Sequence, residues 1–224
     1  LSLLISPTPR DLLLDIQVQA KFVSDHSEGF LRVHYREPLA AEIDPRFQPE
    51  SVVLGTMIEM GSKARVLVPT HRVVGVKEAA IELANGVRVP GVFEDPELRS
   101  PNAPFTIVKS RKPDALKQVK ALKWSEDVSP PEGLTLWAIE WPIGQQLPDS
   151  KAQPILVRTS LGARVEPPLE RFLYVPLGQA DGLALLSHKG AVQCLIFRGV
   201  PGLKAKSLCA PKDAVLSSLK RGKQ

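Results

Sequence analysis

The sequence has 224 residues, a net charge of +5 at pH 7 and an isoelectric point near 9.3. With 43% hydrophobic and 24% charged residues, it has the composition of an ordinary globular protein. No apolar run reaches the roughly 18 residues that a membrane helix needs, which excludes a membrane span. The Lys- and Arg-rich runs at 110–123 and 219–224 lack interleaved aromatic residues, which argues against a nucleic-acid groove.

Short hydrophobic segments bounded by Gly, Pro, Asn or Asp run through most of the chain. Many of them alternate apolar with polar residues, a pattern typical of strands, so we predict an all-β sandwich or barrel protein. The first half contains DIQVQAKFV (15–23), GFLRVHY (29–35), SVVLGTMIEM (51–60), ARVLVP (64–69), AAIELANGVRVPGVF (79–93) and PFTIVKS (104–110). The second half contains LTLWAIEWP (134–142), PILVRTSL (154–161), RFLYVPL (171–177), LALLS (183–187) and AVQCLIFR (191–198).

Helical patterns are sparse. DALKQVKALKW (114–124) contains helix formers, and PKDAVLSSLKRG (211–222) has apolar residues at helical spacing before a glycine. These patterns divide the chain into a β-rich N-terminal extension, a first barrel, a linker, a second barrel, and a C-terminal helix with its tail. The respective boundaries are 1–50, 51–112, 113–133, 134–210 and 211–224.

The two cysteines, Cys194 and Cys209, belong to no CxxC or Cys/His pattern of zinc spacing. They could close one disulfide, which would indicate an oxidising compartment, or remain two buried thiols. The sequence leaves both alternatives open.

The segment VLVPTHRVV (66–74) ends a predicted strand and presents His71 on the turn that follows. It is similar to the VLTNAHVV segment of the trypsin-like serine proteases, specifically of the bacterial HtrA/Deg branch. Asn85-Gly86 lies where that family has an Asp-Gly turn, and it predicts a two-residue type I′ hairpin. Four further segments resemble the family in the same order: 81–109, 133–145, 154–164 and 182–197. The resemblance implies a double six-stranded β-barrel with its active site in the cleft between the barrels.

The resemblance places three residues at the catalytic positions of the family. His71 takes the position of the base, whereas Pro104 replaces the aspartate that orients the imidazole, and Asp181 replaces the nucleophilic serine. A shift of one residue gives Ala180 or Gly182, neither of which carries a hydroxyl. An inactive protease fold, or pseudoprotease, is therefore implied. Asn102 is the one alternative orienting residue, if the turn before β-strand 104–110 is reshaped.

The positions around the nucleophile define the expected binding surface. It comprises Gly182, Leu183 (which replaces a glycine beside the oxyanion hole), Trp137 and Trp141. The two tryptophans lie four residues apart on one strand face, where they either pack between the barrels or line the cleft. We expect no cofactor. A metal site at His71 and Asp181 would need a third ligand, and His188 is not obviously close.

A lone histidine at a strand end most often has a purely structural hydrogen-bonding role, and this is the first interpretation of His71. The alternative hypothesis is that the carboxylate of Asp181 and the imidazole of His71 meet across the cleft as an ion pair. Three functions remain open: a pseudoprotease that binds a protein or peptide segment, an active endopeptidase with a rearranged set that uses Ser187 or Ser160, and a scaffold domain. By analogy with the family, the compartment would be the bacterial cell envelope or periplasm. Members of the family usually carry a PDZ domain after the protease, and residues 199–224 are not expected to form one.

Overall fold

A computed structural model describes residues 9–36, 50–61, 63–94, 103–126, 130–140, 154–165, 172–177, 181–200 and 203–221. It contains three helices: α1 (Pro9–His26), the single turn α2 (Pro113–Leu116) and α3 (Lys212–Arg221). The strands of the first half are β1 (Phe30–Arg36), β2 (Glu50–Met60), β3 (Lys63–Pro69), β4 (Glu78–Glu82), β5 (Arg88–Phe93) and β6 (Phe105–Ser110). Those of the second half are β7 (Thr135–Glu140), β8 (Ile155–Ser160), β9 (Leu173–Val175), β10 (Ala184–Leu186), β11 (Val192–Val200) and β12 (Leu203–Pro211).

The first six strands form a closed antiparallel barrel in the order β1-β2-β3-β6-β5-β4. Strand β1 closes it by pairing with both β2 and β4, so that Val33 lies opposite Val53 on one side and Ile81 on the other. The barrel therefore begins at Phe30 and not at residue 51. The predicted boundary at residue 50 was wrong because β1 is an integral barrel strand.

The segment 15–23 is helical, which corrects the β-type interpretation of DIQVQAKFV. Its apolar residues alternate with polar ones as they would in a strand. The segment is nevertheless a helix, and contacts between residues four apart in sequence stabilise it. Lys21 and Asp25 form an ion pair at 3.1 Å, and the rings of Phe22 and His26 lie 4.6 Å apart. Much of the helix stays in solvent, so Ile16 is 60% exposed. Helix α1 is thus a surface helix with one packed face.

Strands β2, β3 and β6 are buried on both faces. On β2, Val53 and Met57 point into the first barrel, whereas Leu54 and Ile58 join a larger cluster formed mainly by the second half of the chain. This two-sided burial explains why SVVLGTMIEM reads as a nearly continuous apolar run. These strands thus supply the wall between the two halves.

The second half forms a six-stranded sheet in the order β8-β7-β10-β11-β12-β9. It is a half-barrel and not the closed second barrel that was expected. The gap between the two edge strands, β8 and β9, is bridged by residues that follow β8. Gly162 N donates to Tyr174 O at 2.8 Å, and Val165 N donates to Phe172 O at 3.0 Å. This short irregular stretch replaces a ladder between β8 and β9. None of the described helices has the length and apolar character that a bilayer crossing requires.

The linker crosses between the halves as extended chain. The helix formers of 114–124 give only the single turn α2, and the chain then pairs with both halves. Leu122 N donates to Met57 O on β2 at 2.8 Å, and Ser125 N donates to Val192 O on β11 at 2.8 Å. The predicted C-terminal helix is confirmed as α3, with Ala214 and Val215 buried in the larger cluster.

The hairpin between β4 and β5 turns at the predicted place but with a longer loop. Gly86 N donates to Leu83 O at 2.9 Å, and Leu83 N donates to Val87 O at 2.9 Å. The loop therefore has three residues, with Gly86 in the left-handed region at φ +81°. This geometry replaces the predicted two-residue type I′ turn.

Cys194 and Cys209 form a disulfide between β11 and β12, with their Cα atoms 5.8 Å apart. Both residues are fully buried in the core of the half-barrel. The alternative of two unpaired thiols is therefore not realised. Disulfides persist in oxidising compartments, so this bond is consistent with an extracytoplasmic location.

Candidate functional site

His71 lies on a single 3₁₀ turn, Thr70–Arg72, that follows β3. The turn is anchored by its main chain, since Thr70 N donates to Pro104 O at 3.1 Å and Val73 N donates to Thr70 O at 3.1 Å. The proline that ends β3 stops the strand, and the imidazole is left at the surface with its side chain 38% exposed. The first barrel thus holds His71 at the edge of the boundary between the two halves.

Asp181 and Gly182 form a tight turn before β10. Gly182 has φ +93°, and a Cβ atom there would lie 2.0 Å from the main-chain oxygen of Leu54 on β2. The Gly182 N–H donates to Ile196 O at 2.8 Å, and the hydroxyl of Thr56 donates to Gly182 O at 2.8 Å. The second half of the chain therefore presses its turn directly against the first barrel, and only glycine fits at this point.

The structure brings His71 and Asp181 together, 110 residues apart in sequence. The Nε2 atom of His71 lies 3.1 Å from Oδ2 of Asp181. An ionised carboxylate only accepts hydrogen bonds, so Nε2 carries the proton and donates it. In serine proteases this same nitrogen must accept the proton of the nucleophile. Within the described part of the chain, no other side chain forms a hydrogen bond with His71.

Pro104 is buried immediately before β6, next to the histidine turn. Its carbonyl oxygen accepts the hydrogen bond from Thr70 N, and its ring offers no acceptor to an imidazole. No described side chain accepts a hydrogen bond from Nδ1 of His71. Asn102, the alternative orienting residue, lies outside the described residues.

The predicted binding surface is only partly assembled. Leu183 is 1% exposed within the core between the halves, and the carbonyl oxygen of Gly182 is already used by Thr56. The ring of Trp137 packs instead beneath helix α1, with its centroid 6.3 Å from that of Phe22 and 6.0 Å from the Arg158 guanidinium carbon. Trp137 is therefore a packing residue, but it packs against α1 and not between the barrels, as one of the two alternatives had it. Trp141 and residues 178–180 lie outside the described residues.

The two serines considered for a rearranged catalytic set, Ser187 and Ser160, do not contact His71. The Ser187 hydroxyl oxygen accepts from the main-chain N–H groups of Lys189 and Ala191, each at 3.3 Å, and so stabilises the turn after β10. Ser160 lies exposed at the end of β8. The structure thus brings neither hydroxyl into a hydrogen bond with His71. Among the described residues, no three His, Cys, Asp or Glu side chains gather into a metal-binding group.

Thr56 is the site residue that sequence reasoning missed. It is fully buried on β2, and its hydroxyl fixes the turn that carries Asp181 from 126 residues away. A threonine inside the otherwise apolar stretch SVVLGTMIEM was the available signal, because a buried hydroxyl generally finds a hydrogen-bond partner. The sequence could not say that this partner comes from the other half of the chain.

The energetic coupling between His71 and Asp181 is expected to be about 0.5–1 kcal/mol, because both side chains are partly solvated. Their exposed fractions are 38% and 21%. Urea unfolding of the wild type, His71→Ala, Asp181→Ala and the double variant measures this coupling as a double-mutant cycle. The coupling should shrink as salt is added. Strictly additive single effects at low salt would show that the contact contributes no stability.

Neither a protein-family profile nor a curated protein sequence matches the chain. Solved structures do match. The active form of the Rv3671c protease from M. tuberculosis superposes with a TM-score of 0.66 at 13% identity, covering 98% of this chain and 88% of that chain. The inactive form of Rv3671c gives 0.65 at 12% identity, with 98% of both chains covered. The HtrA-type protease AlgW, solved with a decapeptide, gives 0.65 at 14% identity, covering 91% of this chain and 68% of that chain.

At such low identities these likenesses show the fold. The expected all-β class is confirmed: the chain has the chymotrypsin-like fold of the HtrA-type proteases, built as a closed six-stranded barrel, a six-stranded half-barrel and a short C-terminal helix. The chemistry that this particular chain can perform has to be argued from its own site residues.

Proposed function

We propose that this chain is a pseudoprotease: a trypsin-like protease fold that binds a protein or peptide segment and does not cleave it. The observation that carries the proposal is the contact of 3.1 Å between His71 Nε2 and Asp181 Oδ2. A carboxylate occupies the position where the family places its nucleophilic hydroxyl.

The chemistry of acyl transfer fails at two atoms of this site. An attack by the Asp181 carboxylate would give an anhydride, which is a far less stable intermediate than an ester. In addition, Nε2 of His71 already donates its hydrogen to that carboxylate and has no free lone pair to act as a base. Loss of a triad nucleophile typically lowers turnover by about 10⁶-fold. Pro104 adds a second loss, because nothing at that position orients the imidazole.

Peptide binding requires neither a nucleophile nor an oriented imidazole. Extended peptides can be held by main-chain hydrogen bonds and side-chain pockets, which do not involve a catalytic triad. A structural neighbour, AlgW, has been solved with a decapeptide, which supports peptide binding as a capability of this fold. The ion pair adds a structural role, because one partner comes from each half of the chain.

We place the protein in the bacterial cell envelope or periplasm, supported by the buried disulfide.

A serine-directed fluorophosphonate probe tests the proposal. The wild-type protein, incubated with the probe and separately with casein, is expected to show neither covalent labelling nor peptide products, whereas trypsin under the same conditions shows both. Mass spectrometry of the intact protein and of its peptides would locate any adduct. An adduct on a serine of the wild type, together with casein cleavage that is lost when this serine is changed to alanine, would overturn the proposal.

The Asp181→Ser variant serves as the matched comparison. Because Pro104 still supplies no carboxylate, the variant should remain about 10⁴-fold slower than an intact triad, by analogy with loss of the aspartate alone. Slow labelling at position 181 in this variant, but not in the wild type, would support position 181 as the place of the missing nucleophile.

A further inference from the structure

Strand β8 lies at one end of the six-stranded sheet, and among the described strands it pairs with β7 alone. The direction of its main-chain groups follows from Leu161, directly after the strand, whose N–H donates to Leu134 O at 2.9 Å. Hydrogen-bonded residues alternate along an antiparallel pair, so the main-chain groups of Thr159 and Val157 also face β7. The N–H and C=O groups of the even-numbered residues therefore point away from the sheet: Leu156, Arg158 and Ser160. We call these outward groups the β8 edge.

The β8 edge is open. Within the described part of the chain, no main-chain hydrogen bond reaches these outward groups. One step further along, the same side of the chain is occupied, because Gly162 N donates to Tyr174 O at 2.8 Å. Two residues after Tyr174, at the level of Ser160, comes Pro176, which has no N–H to donate. The pairing that begins at Gly162 therefore stops before it reaches β8.

The side chains of β8 combine one cation with apolar groups. Arg158 is exposed, and no carboxylate of the described residues pairs with it. Its guanidinium carbon lies 6.0 Å from the ring centroid of Trp137, a stacking contact that leaves the N–H donors of the guanidinium available. On the other face of the strand, Ile155 is 56% exposed and Val157 is half-buried. A strand added at this edge would therefore meet a positive charge on one face and apolar surface on the other.

We propose that an extended acidic segment of a partner protein binds as an additional antiparallel strand along the β8 edge. The outward N–H and C=O groups supply the main-chain hydrogen bonds of such a strand. A residue of the segment directly opposite Arg158 shares its face of the sheet, so a carboxylate there pairs with the guanidinium. Residues at the alternate positions pack beside Ile155 and Val157. Acidic residues that alternate with β-branched ones fit this surface.

A second copy of this chain fits the same edge less well. Antiparallel pairing of two β8 edges about a twofold axis would bring the two Arg158 side chains close together on one face. Each chain also carries a net charge of +5. The repulsion between like charges opposes this pairing and favours an acidic partner.

This inference rests on the proposed peptide-binding function, since it names the surface and the chemistry of the bound segment. It involves neither His71 nor Asp181. The two ideas can therefore fail separately.

Amide hydrogen exchange of the full 224-residue chain tests whether the edge is free. The amides of Leu156, Arg158 and Ser160 should exchange at least about 10-fold faster than those of Val157 and Thr159, which are bonded to β7. Saturation with a fluorescein-labelled peptide of four Glu-Val repeats should slow the three outward amides. Slow exchange of these amides in the free protein would show that the edge is already covered, and would overturn the proposal.

N-methylated peptides test the main-chain pairing without any change to the protein. Opposite Arg158, the Glu residues direct their N–H groups to β8, whereas the N–H groups of the Val residues point away. Methylation of the Glu nitrogens should weaken binding, measured by fluorescence anisotropy, at least about 10-fold, because several hydrogen bonds are lost together. Methylation of the Val nitrogens should change the affinity less than about threefold. Equal effects of the two modifications would rule out strand addition.

Charge reversal tests the choice of an acidic partner. Arg158→Glu should weaken binding of the Glu-Val peptide at least about 10-fold and strengthen binding of a Lys-Val peptide, whereas Arg158→Lys should retain the affinity within about threefold. The matched control, Lys63→Glu, makes the same charge change at an exposed position of the first barrel and should alter the affinity less than about twofold. An equal loss in this control would mean that net charge alone attracts the peptide, which contradicts a site on β8.

Three results separate this inference from other interpretations. Peptide binding that is lost with His71→Ala but retained in Arg158→Glu would reject the β8 edge and leave the proposed function standing. A fluorophosphonate adduct with protease activity would reject the proposed function and leave the β8 edge standing. Self-association in sedimentation experiments, without peptide binding, would reject the acidic partner in favour of a second copy.

Discussion

Replacement of Gly182 by alanine is expected to lower the free energy of unfolding by about 2–5 kcal/mol, which combines left-handed backbone strain with overpacking. The added Cβ would stand 2.0 Å from the main-chain oxygen of Leu54, at a φ of +93°. Because both atoms belong to main chain or Cβ, no side-chain rotation relieves the clash. The turn would have to move away from β2, which would also break its hydrogen bond from Thr56. Urea unfolding followed by intrinsic fluorescence measures the loss.

Gly86→Ala provides the matched control. Gly86 has a similar φ of +81°, but no atom lies within 4 Å of the position of its Cβ. This variant should cost only the backbone strain, about 1–2 kcal/mol. The difference between the two variants then isolates the contact between the two halves of the chain. Equal losses would mean that the turn at 182 has room to shift, and that the close approach to Leu54 does not constrain it.

Removal of the disulfide with Cys194→Ala/Cys209→Ala should cost about 2–4 kcal/mol, since a closed loop of this length restricts the unfolded chain by about 3 kcal/mol. The two cysteines are 15 residues apart in sequence and fully buried. For a chain of this size the melting temperature should fall by about 4–16 °C. Differential scanning calorimetry in non-reducing buffer measures it.

Reductant supplies the control for this prediction. Dithiothreitol should lower the melting temperature of the wild type towards that of the double variant and leave the variant unchanged. A variant as stable as the oxidised wild type would show that packing in the half-barrel replaces the constraint of the bond. Changing both cysteines together avoids leaving one unpaired thiol in the core.

The strands could be predicted because each is a short apolar run closed by Gly, Pro, Asn or Asp, and this local signal survives without tertiary information. Helix α1 could not be predicted in the same way. Its residues Ile16, Val18 and Phe22 satisfy a two-residue period by coincidence, and what favours the helix is the packing of Phe22 on Trp137, more than 100 residues away. Tertiary contacts of this kind override local propensity.

The residues of the candidate site could likewise be predicted only in part. The resemblance of the segments around residues 71 and 181 to the protease family identified His71 and Asp181, and the contact that was considered as an alternative for them is present. The role of Thr56 could not be predicted, because it depends on which faces of distant strands meet. Likewise, no sequence pattern could indicate that the side chain of Leu183 would be buried between the halves.

The course of the linker has a consequence for unfolding. Because Leu122 is hydrogen-bonded to β2 and Lys123 and Ser125 to β11, three of the four residues 122–125 join two different sheets through main-chain bonds. Neither sheet can separate from its neighbour without rupturing part of this short stretch. Amide exchange at Leu122, Ser125 and Val192 should therefore report the same opening free energy, as members of one cooperative unit that includes both halves.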